Sequence, residues 1–538
     1  MKVSGKLVDI HEERIYNAEI VIDGGRIKRI EKCISANDVF IMPGLIDAHV
    51  HIESSMLTPG SFAQASVSHG TIGVVSDPHE IANVIGIDGV KFMIEDGRKT
   101  PFKFYFGAPS CVPATDLETS GAILGAKEVE ELIRREDIKF LAEMMNFPGV
   151  INKNEEVIQK INIAKKYNKP VDGHAPGLSG ELLRKYIEAG ITTDHECSSI
   201  EEALEKILLG MKVIIREGSA GRNLNALKRL YSEYPDMIML SSDDIHPEML
   251  MKRHLDKLVA GLIDEGYDIF NVIKSVTINP VKHYGLDAGL LRPGDPADFI
   301  VVDDIKKMNV LETWINGIKV YDNGNILFKY LPGNPINNFN CTDITRQEIS
   351  VLKQSDEMRV MVAFDGELFT KEIIQETGTN KVIEPDLAND ILKIIVKDRY
   401  RDSRPTVGFI KGFGLKAGAF ASSVAHDSHN LISIGTNDKD IVDAVNEIIK
   451  MKGGLAVSSG GKVNSLPLNI AGIMSTRTCS EVAQDYEYLS AIVKRMGCSM
   501  AAPFMTLSFM ALLVIPELKL SDRGLFDVNR FCYVSLFV

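Results

Sequence analysis

LIDAHVHIE, residues 45–53, is a short apolar run that ends in two histidines spaced one residue apart. Side chains alternate faces along a strand, so His49 and His51 point to the same side. An H-x-H pair alone is a weak signal, because two solvated histidines read the same way. Its meaning depends on the rest of the chain. Seven more apolar runs recur: TIGVVSD (71–77), FKFYFGAPS (102–110), IKFLAEMM (138–145), PVDGHA (170–175), ITTDHE (191–196), KVIIREG (212–218) and MIMLSSDD (237–244). Amphipathic stretches such as KEVEELIRR, NEEVIQKINIAKKYN, SGELLRKYIEAG and SSIEEALEKILLG lie between them, often starting just after Ser or Asn, as helix caps require. Eight strand–helix units across 46–285 predict an α/β fold, a (β/α)8 TIM-like barrel. An open doubly wound sheet would produce a similar pattern.

Working outward, residues 1–45 alternate apolar and polar positions around Gly24-Gly25, and 290–304 and 310–324 do the same around Pro, Gly and Asp turns. These flanks predict one small composite β-sandwich domain, 1–45 plus 286–335, with the barrel inserted between its parts. Residues 340–538 read as a C-terminal α/β domain, with strand-like VMVAF, TVGFIKGF and LISIGTN and helix-like DKDIVDAVNEIIKMKGG. MAAPFMTLSFMALLVIP (500–516) holds two prolines and reads as a buried helix rather than a membrane span. The first residues are charged and alternating, unlike a signal peptide. Lys+Arg 60 against Asp+Glu 73 gives −13 over 538 residues, which argues against nucleic acid as partner but leaves a free base or nucleoside open. The 7 cysteines form no C-x-x-C pair, so neither a zinc ribbon nor a disulfide framework is expected, and a reducing, cytoplasmic setting fits.

The strand ends carry the chemistry. After His49 and His51, the fourth strand ends in Glu143, the fifth in His174, the sixth in His195 and the eighth in Asp243-Asp244. In a barrel these ends converge on one mouth. Six nitrogen and oxygen ligands are too many for one tetrahedral ion and suit two divalent ions. Glu143 is the best bridge, because a carboxylate can give one oxygen to each. Asp243 is placed to touch one ion and an attacking water, although Asp244 is adjacent. Imidazole and carboxylate suit Zn, Mn, Fe or Co. His51-Ile52-Glu53 matches the H-x-E half of the zinc nucleoside-deaminase signature, but the P-C-x-x-C half is missing, so that scaffold is rejected.

IMPGLIDAHVHIE, the strand-end ligands and RPGDPADFIVVD together resemble the amidohydrolase superfamily. More specifically, SDPHEIANVIG (76–86), AEMMNFPGV (142–150), GHAPGLSG (173–180), DHECSS (194–199), IREGSAGRN (215–223) and SSDDIHP (241–247) are similar to its adenine deaminases. So are GFGLKAGAFASSVAHDSHNLISIGTND (412–438) and GGLAVSSGGKV (453–463). The resemblance implies hydrolysis of adenine to hypoxanthine and ammonia, in purine salvage and nitrogen use, at two divalent ions, Mn or Fe, with Zn as the alternative. It implies His49, His51, Glu143, His174, His195 and Asp243 as ligands, with Asp243 and Glu143 catalytic. Dihydroorotase-like relatives place a carboxylated lysine where Glu143 stands. A homo-oligomer, a dimer by preference, is expected, with no membrane partner.

Around that set, His79 and Glu80 are expected to bind the purine edge or support the ligands, with a salt bridge or cap pair as the plain alternative. Arg216 and Ser219 are candidate substrate contacts, against a structural Arg216–Glu217 ion pair, and Asp244 completes the set. His426 and His429 read as a turn with local hydrogen bonds, or as a lid. The competing functions are a cyclic-amide hydrolase of the same superfamily and a non-catalytic purine- or metal-binding protein.

Overall fold

Where the apolar runs are continuous, the chain makes strands buried on both faces. In the computed structural model, which describes residues 1–538, these are β1 (Leu45–Val50), β2 (Thr71–Ser76), β3 (Lys103–Ala108), β4 (Ile138–Met144), β5 (Val171–Gly173), β6 (Thr193–Asp194), β7 (Lys212–Arg216) and β8 (Ile238–Ser241). β1 to β5 pair in chain order, as do β6 to β8, and all are parallel. Across the β5–β6 seam, the Thr192 N–H donates to the Val171 carbonyl at 2.9 Å. At the other seam the Asp243 N–H donates to the His49 carbonyl at 2.9 Å, and the His51 N–H to the Asp243 carbonyl at 3.3 Å. The parallel sheet thus curls round and closes as a TIM-like barrel, which removes the open doubly wound alternative. Helices between the strands start at their expected caps. Asn154 accepts from the N–H groups of Glu156 and Val157, and Ser199 from that of Glu202. Ser179 precedes its helix without a side-chain cap bond.

The chain divides into two units. Met1–His79, Val90–Cys111 and Leu124–Gly333 form the first; Glu80–Gly89, Val112–Ile123 and Asn334–Val538 form the second. The first holds, besides the barrel, one eight-stranded sheet that joins the flanks. Its order runs Asn325–Ile326, Ile318–Asp322, Val310–Ile315, Phe299–Val302, Phe40–Pro43, Lys2–Asp9, Arg14–Asp23, Arg26–Lys32. Phe40–Pro43 pairs with Lys2–Asp9 on one side and Phe299–Val302 on the other, so the two flanks meet at its centre. Ile20, Ile22 and Ile27 share a core with Phe299 and Trp314.

The second unit has its own eight-stranded sheet, antiparallel except where Glu357–Ala363 runs parallel to Thr406–Lys411. The helix Asp438–Met451 lays Ile441, Val445 and Ile448 on it, against Ile395, Ala421 and Ala456. Strands and helices are therefore segregated here, an α+β arrangement rather than the α/β one expected. Tight hairpins explain the difference: Gly460 and Gly461, at φ +61° and +77°, turn Gly454–Ser459 directly into Lys462–Pro467. The 500–516 stretch is buried over 503–513 but helical only over Pro503–Ser508 plus one 3-10 turn. No helix is long and apolar enough to cross a membrane.

Trp314, the single tryptophan, stacks on the fully buried Phe299 with ring centroids 5.3 Å apart. Phe299→Ala is expected to cost about 3–5 kcal/mol, read as a lower denaturant midpoint in Trp314 fluorescence.

Candidate metal centre

The six expected ligands lie together in the first unit. His49 Nε2 and His51 Nε2 are 3.2 Å apart, and Asp243 Oδ1 is 3.5 Å from the first and 3.3 Å from the second. Glu143 Oε1 lies 3.4 Å from His51 Nε2. Its other oxygen, Oε2, lies 2.9 Å from His174 Nδ1 and 3.1 Å from His195 Nε2, themselves 3.3 Å apart. One carboxylate thus faces His51 with one oxygen and the His174–His195 pair with the other. Four ligand atoms about 2.1 Å from one ion stand about 3.4 Å apart in a tetrahedron, so these separations fit ligands around two ions. The donors are all imidazole or carboxylate, a set that suits Zn, Mn or Fe. Bonds to other groups fix the ring orientations. The His51 Nδ1–H donates to the Asp77 carbonyl at 3.1 Å, which leaves the Nε2 lone pair for a cation.

Neighbouring elements hold the strand ends. Asp194 Oδ1 accepts from the Ala175 N–H at 2.8 Å, and Oδ2 from the Glu196 N–H at 3.2 Å, so it ties the chain beside both His174 and His195. Lys206 Nζ, fully buried, neutralises it at 2.9 Å. Asp243 has a left-handed backbone, φ +55°, which is uncommon for a residue with a Cβ.

Electrostatics follow from burial and crowding. Burial pushes Asp243 up, but Arg216 and the His49 and His51 hydrogen bonds outweigh it and hold the carboxyl well below its usual range. Glu143 behaves likewise: burial raises it, and His174 and His195 bring it well below. Burial lowers His174, yet Glu196 and Glu143 raise it to about 9.

The remaining candidates have different fates. His79 Nδ1 sits 3.2 Å from Asp77 Oδ2 and 3.5 Å from Glu143 Oε1. Arg216 does not pair with Glu217. Its guanidinium bonds Glu196 at 2.6 and 2.8 Å and Asp243 Oδ2 at 2.6 Å, because β7 delivers it inward while Glu217 lies 3.9 Å from Arg222. The Ser219 hydroxyl accepts from the His246 N–H at 2.9 Å, bracing the segments that follow β7 and β8. Asp244 accepts from the Ser54 hydroxyl at 2.5 Å. Glu80 belongs to the second unit, where its carboxylate meets His426 Nδ1 at 2.6 Å and also bonds His429 Nε2. The local-turn reading of His426 and His429 is therefore corrected: their partner is 346 and 349 residues away in sequence. Sequence reasoning passed over Asp77 and Glu196. Glu196 Oε1 lies 3.5 Å from both His174 and His195. β6 ends at Asp194, so strand alternation no longer aims Glu196 away.

A metal ligand must lose its proton on binding. Mn2+ added to metal-free protein near about pH 8 is expected to release protons, with His174 one of their sources. The His174 share of that release should fade as pH rises through about 9. A pH-indicator titration in weak buffer checks it.

Residues 40–320 match the amidohydrolase family, and residues 367–532 match the adenine deaminase C-terminal domain. A Methanosarcina mazei protein named adenine deaminase is 50% identical over 550 residues, covering 100% of this chain and 99% of that protein. One from Salinibacter ruber, of the same name, is 49% identical over 541 residues, covering 100% and 99%. Among solved structures, a β-aspartyl dipeptidase from Fervidobacterium islandicum is 16% identical, with a TM-score of 0.46 over 61% of this chain and 99% of that one. With half its residues shared with these relatives from end to end, the chain belongs to the adenine deaminase family of amidohydrolases.

Proposed function

We propose that this protein is an adenine deaminase: adenine and water give hypoxanthine and ammonia. The observation that carries the chemistry is Glu143, which faces His51 with one oxygen and the His174–His195 pair with the other. His49, His51 and Asp243 would hold one divalent ion, His174 and His195 the other, with Glu143 shared between them. Such ions supply Lewis acidity, which lowers the pKa of water to about 7.

The other steps belong to the side chains. Arg216 holds Asp243 Oδ2, which leaves Oδ1 turned towards His49 and His51. From there Asp243 takes a proton from the water that adds to C6 of adenine. The same carboxyl returns it to the 6-amino group, which leaves as ammonia. Electron density moves onto the ring nitrogen as C6 becomes tetrahedral, and a proton donor beside that nitrogen stabilises it. His79 is our candidate for contact with the purine edge, supported by its place beside Asp77 and Glu143. Arg216 and Ser219 act as positioning groups in this reading, since both are engaged by neighbours. Asp244, held by Ser54, borders the same space.

The reading extends to Mn or Fe as the native ions and to a cytoplasmic homodimer. All seven cysteines are unpaired, which supports a reducing compartment. We take 1–45 plus 286–335 as a composite β-sandwich, 46–285 as the barrel, and 340–538 as the C-terminal domain.

Mn-loaded protein is expected to consume adenine and release ammonia, with adenosine and cytosine as poor substrates. Asp243→Asn should lower kcat about 10²–10⁴-fold. Absence of turnover with Mn, Fe and Zn would overturn the assignment.

A further inference from the structure

Beneath the ligands lies a buried chain of polar groups that the reaction does not use. Asp47 is fully buried on β1, two residues before His49. Its Oδ2 accepts from the Ser242 hydroxyl at 2.5 Å and meets His254 Nε2 at 2.9 Å. Its Oδ1 accepts from the Ser242 N–H at 3.1 Å and the His49 N–H at 3.3 Å. His254 Nδ1 meets the Thr71 hydroxyl at 2.7 Å, on β2. The backbone N–H of His254 donates to Asp256 Oδ1 at 3.0 Å, which ties the residue's backbone to the start of the helix Leu255–Asp264. Thr71, Ser242 and His254 are all buried.

These bonds converge on one backbone. Ser242 is the residue before Asp243, and both its N–H and its hydroxyl end on Asp47. Asp243 then takes up its left-handed conformation and is stitched to β1 by two backbone hydrogen bonds. A carboxylate taken this far out of water is costly unless its lone pairs are filled. Here His254 and Ser242 fill them. The structural result is a fixed exit angle for the chain at Asp243, and so a fixed direction for its carboxylate.

We infer that Asp47 and His254 are positioning residues for the reaction: held through Ser242, they aim the Asp243 carboxylate at the His49–His51 pair. This rests on the deaminase reading only for its activity readout. His254 reaches neither a ligand atom nor substrate and acts through Asp47.

The test compares His254→Ala with His254→Gln, whose amide nitrogen can stand where Nε2 stands and donate to Asp47. Full-length proteins are saturated with Mn2+, and bound metal, melting temperature, kcat and KM for adenine and the Mn2+ EPR spectrum are measured. His254→Ala is expected to keep its metal and lose about 10–100-fold in kcat, with KM little changed and the EPR spectrum altered. His254→Gln should recover most of the loss and the wild-type spectrum. Wild-type kcat in His254→Ala, a Gln variant no better than Ala, or a loss explained by missing metal would each overturn the inference. If His254→Ala does not fold, Ser242→Ala, which removes the shortest bond to Asp47, decides by the same readouts. Should the wild type fail to turn over adenine, the functional reading falls, and the EPR comparison alone still decides the positioning role.

Discussion

Two backbone hydrogen bonds at Asp243, one to the His49 carbonyl and one from the His51 N–H, close the barrel. They also join three of the expected ligands, His49, His51 and Asp243, whose side-chain atoms lie within 3.5 Å of one another. Closure and chemistry therefore share one seam. A ring of parallel strands can close only if the last strand finds the first in register, and here the register is set between ligands. The left-handed φ of Asp243 is part of the same constraint: an extended residue there would carry the chain on past β1 instead of across to it. Strain of this kind persists only where the surroundings over-determine it.

Below the ligands the barrel departs from the usual layer of branched aliphatic side chains. Asp172 lies two residues before His174, as Asp47 does before His49, and takes the hydroxyls of Thr193 and Tyr284, each at 2.8 Å. Asp194 performs a similar task between the ends of β5 and β6, with Lys206 as its counter-charge. A buried acid serves three of the ligand-bearing strands. Such a floor is worth its desolvation cost only when every member is paired, and it makes the geometry above it stiff.

Much of this was legible in the sequence because strand periodicity is simple. H-x-H places two imidazoles on one face, and apolar runs at regular spacing put later strand ends at the same mouth. The readings that went astray are those where a side chain answers to a partner that periodicity does not encode. Arg216 was weighed as a substrate contact or as the ion-pair partner of its neighbour Glu217, yet β7 aims it at Glu196 and Asp243. Glu196 was overlooked beside His195, because a two-residue strand ending at Asp194 gives no periodicity to place the residue after it. The HDSHN turn is local in backbone, but Glu80, hundreds of residues away, determines what its histidines do. The C-terminal domain was read as α/β for another reason: strand-like and helix-like stretches alone do not reveal whether neighbouring strands run parallel.

The second unit is not a continuous tail. It counts Glu80–Gly89 and Val112–Ile123 among its own residues. Glu80 bonds His426 and His429, the Thr119 carbonyl accepts from Asn430 at 2.8 Å, and the Val84 carbonyl from Asn338 at 3.2 Å. A gene truncated before residue 334 would still encode those two inserts but none of the partners that bury them. The halves of this protein therefore cannot be shuffled like beads on a string, and recombination that traded one for a distant relative's would have to trade the inserts as well.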